Sequence, residues 1–364
     1  MKYLSRFLVV ILCFLSLVGC LSEDDGIVIV PPIDGAILDP EVGGPAQPNQ
    51  VWIDLSADEN SRMKLTNRTA WDLGFYGGDE FFAVLNSSIL MAAGVVDGAV
   101  NIDSVNESHV SSIKSLLNPA SGYPETYVDA VTGNYLEDGT AIAPISENNS
   151  ENYVYLLKMG YEIYNGTMFP GTAYSSGASR GWKKIRILKS GNDYVLQYAD
   201  IESTTHQEVV ISKNAAYNFS FYSIANNQIA DIQPMKENWD ICFTVMNNVI
   251  EGHGTYIYTD FVTSNNLGGV GVYEVVLPNA SDLIPTYNNF DATDVDESLF
   301  IYDDQRVIGS NWRNVFNGVP EPNRFYVIKD PEGFVFKLRF IRMLGDSGDT
   351  QGYRGYPQFE YSPL

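Results

Sequence analysis

Asn238-Trp239-Asp240-Ile241-Cys242-Phe243 repeats the pattern of Ala70-Trp71-Asp72-Leu73-Gly74-Phe75. Each copy reads as the start of a strand. The indole fills a core corner, and the carboxylate accepts amide hydrogens from a turn. That role places the Trp-Asp pair in the scaffold rather than in a catalytic centre. An apolar strand ending in asparagine follows each copy: Phe82-Ala83-Val84-Leu85-Asn86, then Tyr273-Glu274-Val275-Val276-Leu277-Pro278-Asn279. The copies are too far apart for a solenoid. They predict two related β halves, residues 50–225 and 226–364.

Working outward, two hairpins stand out. Residues 182–188 and 194–200 flank Lys189-Ser190-Gly191-Asn192-Asp193, which has turn chemistry. Residues 324–329 and 334–342 flank Asp330-Pro331-Glu332-Gly333, where Pro presets one turn dihedral and Gly supplies the next. Phe334, Phe336, Leu338 and Phe340 alternate with Val335, Lys337, Arg339 and Ile341, so the first set faces a core. One helix is predicted over 107–118, with Ser104 or Asn106 as cap and Pro119 as stop. The fold class is all-β: antiparallel sheets with at most one or two short helices. The 23 Tyr, 18 Phe and 31 Gly suit strands joined by turns.

The N-terminus sets the location. Lys2 and Arg6 precede an apolar run from Phe7 to Val18, too short for a comfortable membrane span. It ends Leu17-Val18-Gly19-Cys20, which resembles the lipobox of bacterial lipoproteins, with residues 1–19 as signal peptide and Cys20 as the lipid-attachment site. Acyl chains there anchor a protein at about 0.8 kcal/mol per buried methylene. Leu21-Ser22-Glu23-Asp24-Asp25 resembles a surface-export signal. Residues 20–49, with Pro31, Pro32, Pro40, Pro45 and Pro48, read as an extended tether.

Composition excludes several classes. The 364 residues are 45% hydrophobic, which is enough for a sizeable core. With 22 basic and 45 acidic residues the net charge is -23, which opposes binding to nucleic acid or anionic lipid. Of three cysteines only Cys242 lies in the body of the chain, so no internal disulfide framework exists. Three histidines leave little scope for a Ser-His-Asp or Cys-His arrangement. The pairs Gly77-Gly78 and Gly268-Gly269 lack the context of a nucleotide loop. The protein is expected not to be an enzyme.

Taken in order, several of these features resemble the HmuY-type haem-binding lipoproteins of Bacteroidetes. They are the lipobox, both Trp-Asp-x-x-Phe strands, and Val84-Leu85-Asn86-Ser87. Lys183, Ile185, Arg186 and Ile187 leading to Tyr194 and Tyr198 add to them, as does Ile308-Gly309-Ser310-Asn311-Trp312. The last is the ending from Phe325-Tyr326-Val327-Ile328 through Phe336-Lys337-Leu338-Arg339-Phe340 to Phe359-Glu360-Tyr361. The resemblance spans nearly all of residues 50–364. It implies an all-β protein of the outer membrane, exposed at the cell surface, that binds haem for iron acquisition and passes it to a TonB-dependent receptor. In that family two His or Met side chains ligate the iron, from between the second Trp-Asp strand and the C-terminal hairpin. Here residues 247–323 hold one His and no Met.

His253, between Gly252 and Gly254, and nearby Met246 are therefore the candidate haem ligands, with Tyr256, Tyr258, Tyr273, Tyr287 and Tyr302 close in sequence. His253 also reads as a solvated loop histidine and Met246 as core filler. His109 and His206 read as surface residues. Among Arg180, Lys183, Lys184, Arg186 and Lys189, strand alternation puts Lys184 and Arg186 on one face as possible propionate contacts. The same strand also reads as one paired with protein acids. Asp291, Asp294, Asp296 and Glu297 lack the glycine and spacing of a calcium loop. No metal other than haem iron is expected. Two further readings stand beside haem capture: a non-haem module binding a peptide, glycan or receptor, and a hydrolase using paired carboxylates.

Overall fold

A computed structural model describes residues 34–117, 125–250 and 253–364. Chain order begins with β1 (Ala36–Leu38), β2 (Asn49–Ile53) and β3 (Met63–Asn67). After the first Trp-Asp pair come β4 (Leu73–Tyr76), β5 (Ala83–Leu85), β6 (Ala92–Val95) and helix α1 (Glu107–Leu116). Helix α2 (Tyr135–Asp138) precedes β7 (Tyr155–Lys158), β8 (Trp182–Ser190), β9 (Asp193–Ala199) and β10 (Gln207–Ser212). Then follow β11 (Phe219–Ser223) and β12 (Gln228–Ala230). After the second pair come β13 (Ile241–Ile250), β14 (Gly254–Ser264), β15 (Gly271–Val276) and α3 (Leu283–Asn289). The chain closes with β16 (Arg313–Asn314), β17 (Val319–Pro320), β18 (Arg324–Lys329), β19 (Val335–Arg342) and β20 (Gln358–Pro363). Two of the helices reach seven residues or more and the third has four; the rest of the regular structure among the described residues is antiparallel sheet and short 3-10 turns.

The two halves are visible in the strand order. One four-stranded sheet runs β12-β11-β4-β5 and another β3-β2-β13-β14. One five-stranded sheet runs β6-β7-β8-β9-β10 and another β15-β18-β19-β20-β1. Each Trp-Asp strand thus lies centrally in a four-stranded sheet packed on a five-stranded one. Leu73, Phe75, Leu85, Leu157, Ile187 and Leu196 share one core, and Val51, Ile241, Phe243, Ile328, Leu338 and Phe359 the other. Helices α1 and α3 cover the outer faces of the two five-stranded sheets, over Val154, Leu156 and Trp182 in one case and Phe325 and Val327 in the other.

The second set is completed by the start of the chain. β1 pairs with β20 and β2 with β13, so residues 36–67 belong with the second Trp-Asp strand, and the boundary read at residue 50 moves. For the same reason the tether does not reach residue 49. Val42 and Gln47 are buried, and Arg68 donates to the carbonyls of Ala46 and Gln47. The described residues form one compact unit. Among them no helix is long and apolar enough to cross a membrane. Cys20 and the signal segment lie outside the described residues.

The Trp-Asp pairs act as the sequence suggests. Asp72 Oδ2 accepts the Ala225 amide at 3.1 Å, and Asp240 Oδ2 accepts the Leu55 amide at 2.7 Å. The echoing asparagine needs correction. Asn86 Nδ2 donates to the carbonyls of Arg68 and Trp71, and Asn265 Nδ2 to those of Lys236 and Trp239. Asn265, not Asn279, is the counterpart of Asn86. The sequence echo missed it because β14 is much longer than β5.

Candidate functional site

A groove of about 790 Å³ opens beside the second set of strands. The β13-β14 hairpin gives it Asn248 and Phe261, and β15 gives Tyr273 and Glu274. The other wall is the irregular segment 299–311. Two antiparallel bridges pin that segment: Ile301 exchanges both backbone bonds with Val272, and Gly309 with Val262. Gly309 is required there. Its φ is +52°, and a Cβ would meet the Arg306 carbonyl at 2.6 Å.

Phe261 and Tyr273 are buried, while Leu299 and Ile301 stand half exposed, so the groove has an apolar wall. Tyr273 packs edge-on against Phe300 with centroids 5.0 Å apart. The polar groups are mostly engaged with one another. Arg306 grips both oxygens of Asp304 at 2.8 Å and reaches Asn248 Oδ1 at 3.1 Å. The Asp304 bond raises the Arg306 pKa, so the guanidinium stays charged. Glu274 Oε1 accepts from Arg324 Nη1 at 2.8 Å and from the Tyr326 hydroxyl at 3.2 Å. Asp303 lies exposed at the rim.

No His, Met or Cys lines the groove among the described residues, and Tyr273 is its one side chain of an iron-ligating type. Burial and nearby acids push the Tyr273 hydroxyl up, which favours the neutral phenol over a phenolate ligand. The lining does not fit a His or Met axial pair.

The sequence candidates lie apart. His253 is exposed at the hairpin tip, its amide donating to the Ile250 carbonyl at 2.9 Å. Met246 is buried in β13 opposite Tyr258 and lines a different cavity. Four rungs of ladder separate Met246 from the tip, roughly 14 Å at about 3.4 Å per residue. The two do not converge on one iron. Lys184 is fully buried, and its ammonium donates to the Val105 and Ser203 carbonyls. Arg186 donates to the Asn152 and Asn149 carbonyls. Lys183 pairs with Asp200, Lys189 with Glu147, and Arg180 with Asp72. The basic stretch is thus engaged with protein oxygens.

Of the nearby tyrosines, Tyr287 is buried under β19 with its hydroxyl on the Lys337 carbonyl, and Tyr256 and Tyr302 are exposed. His109 closes a capping box with Asn106 at the start of α1, and His206 contacts Asp103 at 2.9 Å. Asp291 and Asp296 cap 3-10 turns through Thr293 and Ser298. Sequence reasoning missed Leu299, Ile301 and Arg306 as groove residues. The available signal was Ile308-Gly309-Ser310-Asn311, whose glycine fixes the segment.

The protein-family profile described as HmuY protein matches residues 46–361. No curated protein matches the chain significantly. A crystal structure from Bacteroides fragilis NCTC 9343, of a protein named as a "putative lipoprotein", matches at 14% identity and a TM-score of 0.20. The match covers 48% of this chain and 94% of that one.

Proposed function

Because the chain belongs to the HmuY family, we propose that it is a lipid-anchored cell-surface protein that captures a ligand in the Asn248–Asn311 groove. Its work is binding, not catalysis. The supporting observation is the groove itself: about 790 Å³, walled by Phe261, Tyr273, Leu299 and Ile301, and built from the stretch between the second Trp-Asp strand and the C-terminal hairpin. That size lies within the usual range of ligand pockets. The first ligand class is haem or a related tetrapyrrole, held by its apolar faces and delivered to a TonB-dependent receptor in the outer membrane. Iron ligation by a His or Met pair plays no part. Glu274 and Asp303 repel carboxylates, so propionates point to solvent.

Haemin and metal-free protoporphyrin test this together. Both are expected to bind, with affinities within about threefold, and Ile301→Asp is expected to weaken both. A Soret band typical of paired histidine ligation would overturn metal-independent capture. Failure of both pigments to bind would favour the second reading, a non-haem module for a peptide, glycan or receptor. The acidic, donor-poor lining supports that alternative. A glycan array and a pull-down from outer membranes examine it, and silence in both would count against it.

A further inference from the structure

A second cavity, of about 90 Å³, lies between the two four-stranded sheets. Trp52, Trp71 and Trp239 wall it, with Tyr135, Phe219 and Phe221. Amide and hydroxyl side chains, together with Val84, Leu85, Cys242, Met246 and Leu267, complete the lining, which contains no Asp, Glu, Lys, Arg or His. In a chain with 45 acidic residues, an uncharged aromatic chamber selects for a neutral occupant.

The duplication supplies an internal control. Trp71 Nε1 donates to Gln50 Oε1 at 2.9 Å. Trp239 holds the same place in the other set of strands, is buried, and leaves its Nε1 without a partner. Register explains the difference. Ile53 faces Ile241 as Tyr222 faces Leu73, so the counterpart of Gln50 is Phe219, whose side chain has no acceptor. Gln233 Oε1 and Ser264 Oγ, on residues 8% and 2% exposed, also line the cavity and lack partners. An adjoining pocket shares Leu85, Ser87, Tyr135 and Met246 with it, and there both amide atoms of Asn247 are unpartnered. Three of the eight such atoms among the described residues therefore line this cavity, and two more line the adjoining pocket.

Buried polar groups are nearly always satisfied. A group able to serve these must accept from an indole, donate to an amide oxygen and present apolar surface to the rings. A hydroxyl-bearing carbon does all three. We propose that this cavity binds a neutral hydroxyl-rich molecule, a small polyol or the terminal edge of a sugar. Trp239 Nε1 donates to it, Gln233 Oε1 accepts from it, and Ser264 does either. The volume, equal to about three waters, limits the part enclosed to a few atoms. The site is independent of the groove.

The test titrates the full chain with glycerol, glucose, galactose and a short neutral oligosaccharide, following tryptophan fluorescence. At least one probe is expected to give a saturable change. Glycerol as the best probe identifies a polyol; the oligosaccharide identifies a glycan end. Trp239→Phe keeps the ring and removes the donor. It is expected to weaken the best probe tenfold or more and to leave haemin titration unchanged. No saturable change with any probe, or an unchanged affinity in Trp239→Phe, overturns the proposal and leaves water as the occupant. Should Trp239→Phe fail to fold, Ser264→Ala and Gln233→Met carry the same test, read as loss of the probe-induced rise in Tm.

Discussion

Asp72 and Asp240 occupy the same place in the two sets of strands but differ in their partners. Asp72 pairs with Arg180 at 2.6 Å, both side chains almost fully buried. Burial and the neighbouring Asp54, Asp330 and Glu332 push the Asp240 carboxyl well above the usual carboxylate range. Arg180→Met strands a buried carboxylate and is expected to cost about 3–5 kcal/mol in urea unfolding. Asp240→Asn keeps an acceptor for the Leu55 amide and is expected to cost less than about 1 kcal/mol. Equal losses would contradict this assignment. Asp129 gives the pH dependence. Burial raises its pKa to about 7, against two backbone bonds from Leu85 and Ala141 that act the other way. The folded state therefore binds more protons than the unfolded one between about pH 4 and 7. Stability from this group is full below pH 4 and is lost as the pH rises through 7. Asp129→Asn is expected to flatten that part of the stability curve, and an unchanged slope would sink the claim.

Elements show how side chains override local backbone preference. β13 and β14 slip register between Thr244 and Met246, and the bulge opposite carries Asp260 at φ +52°. An aspartate in left-handed backbone is held there by its contacts. Its carboxylate takes Gln47 and Arg354, its carbonyl the Trp312 indole at 2.9 Å, and its amide donates to Gln47. Asp260→Gly relieves the backbone by no more than about 1 kcal/mol. It removes a buried ion pair whose rupture costs about 3–5 kcal/mol. A net loss is expected by thermal unfolding, and a stabilised variant would refute the balance. Helix α1 behaves more simply: Asn106 caps it as anticipated, and Asn106→Ala is expected to cost about 1 kcal/mol. Both hairpins and the alternation along β19 were legible because each is a local pattern. Phe336, Leu338 and Phe340 are buried in the core, while Lys337 on the other face is covered by α3 and donates to Tyr287 and Phe290. The lysine was misleading, since a period of two tells which residues share a face but not what covers the face.

The whole molecule closes on its own beginning. β1 and β2 fill positions that the second set of strands leaves open, and Arg68, fully buried, ties the Ala46 and Gln47 carbonyls to Ser88. A chain starting at residue 68 is therefore expected to lose the native near-ultraviolet circular dichroism of the second set and to aggregate, whereas one starting at residue 34 keeps it. A folded, soluble chain from residue 68 would refute the closure. Pattern along the chain was sufficient for the all-β class, the duplication, the hairpins and the capped helix, because each rests on neighbours a few residues apart or on a motif stated twice. The motif set was also sufficient for the family. It was insufficient for the circular order of the strands, the true partner of Asn86, the groove and the indole-walled chamber. Those depend on residues from distant strands meeting in one core, such as Trp52 with Trp239. Burial and unmet hydrogen bonds exist only once the sheets are packed, and no periodicity in the chain records them.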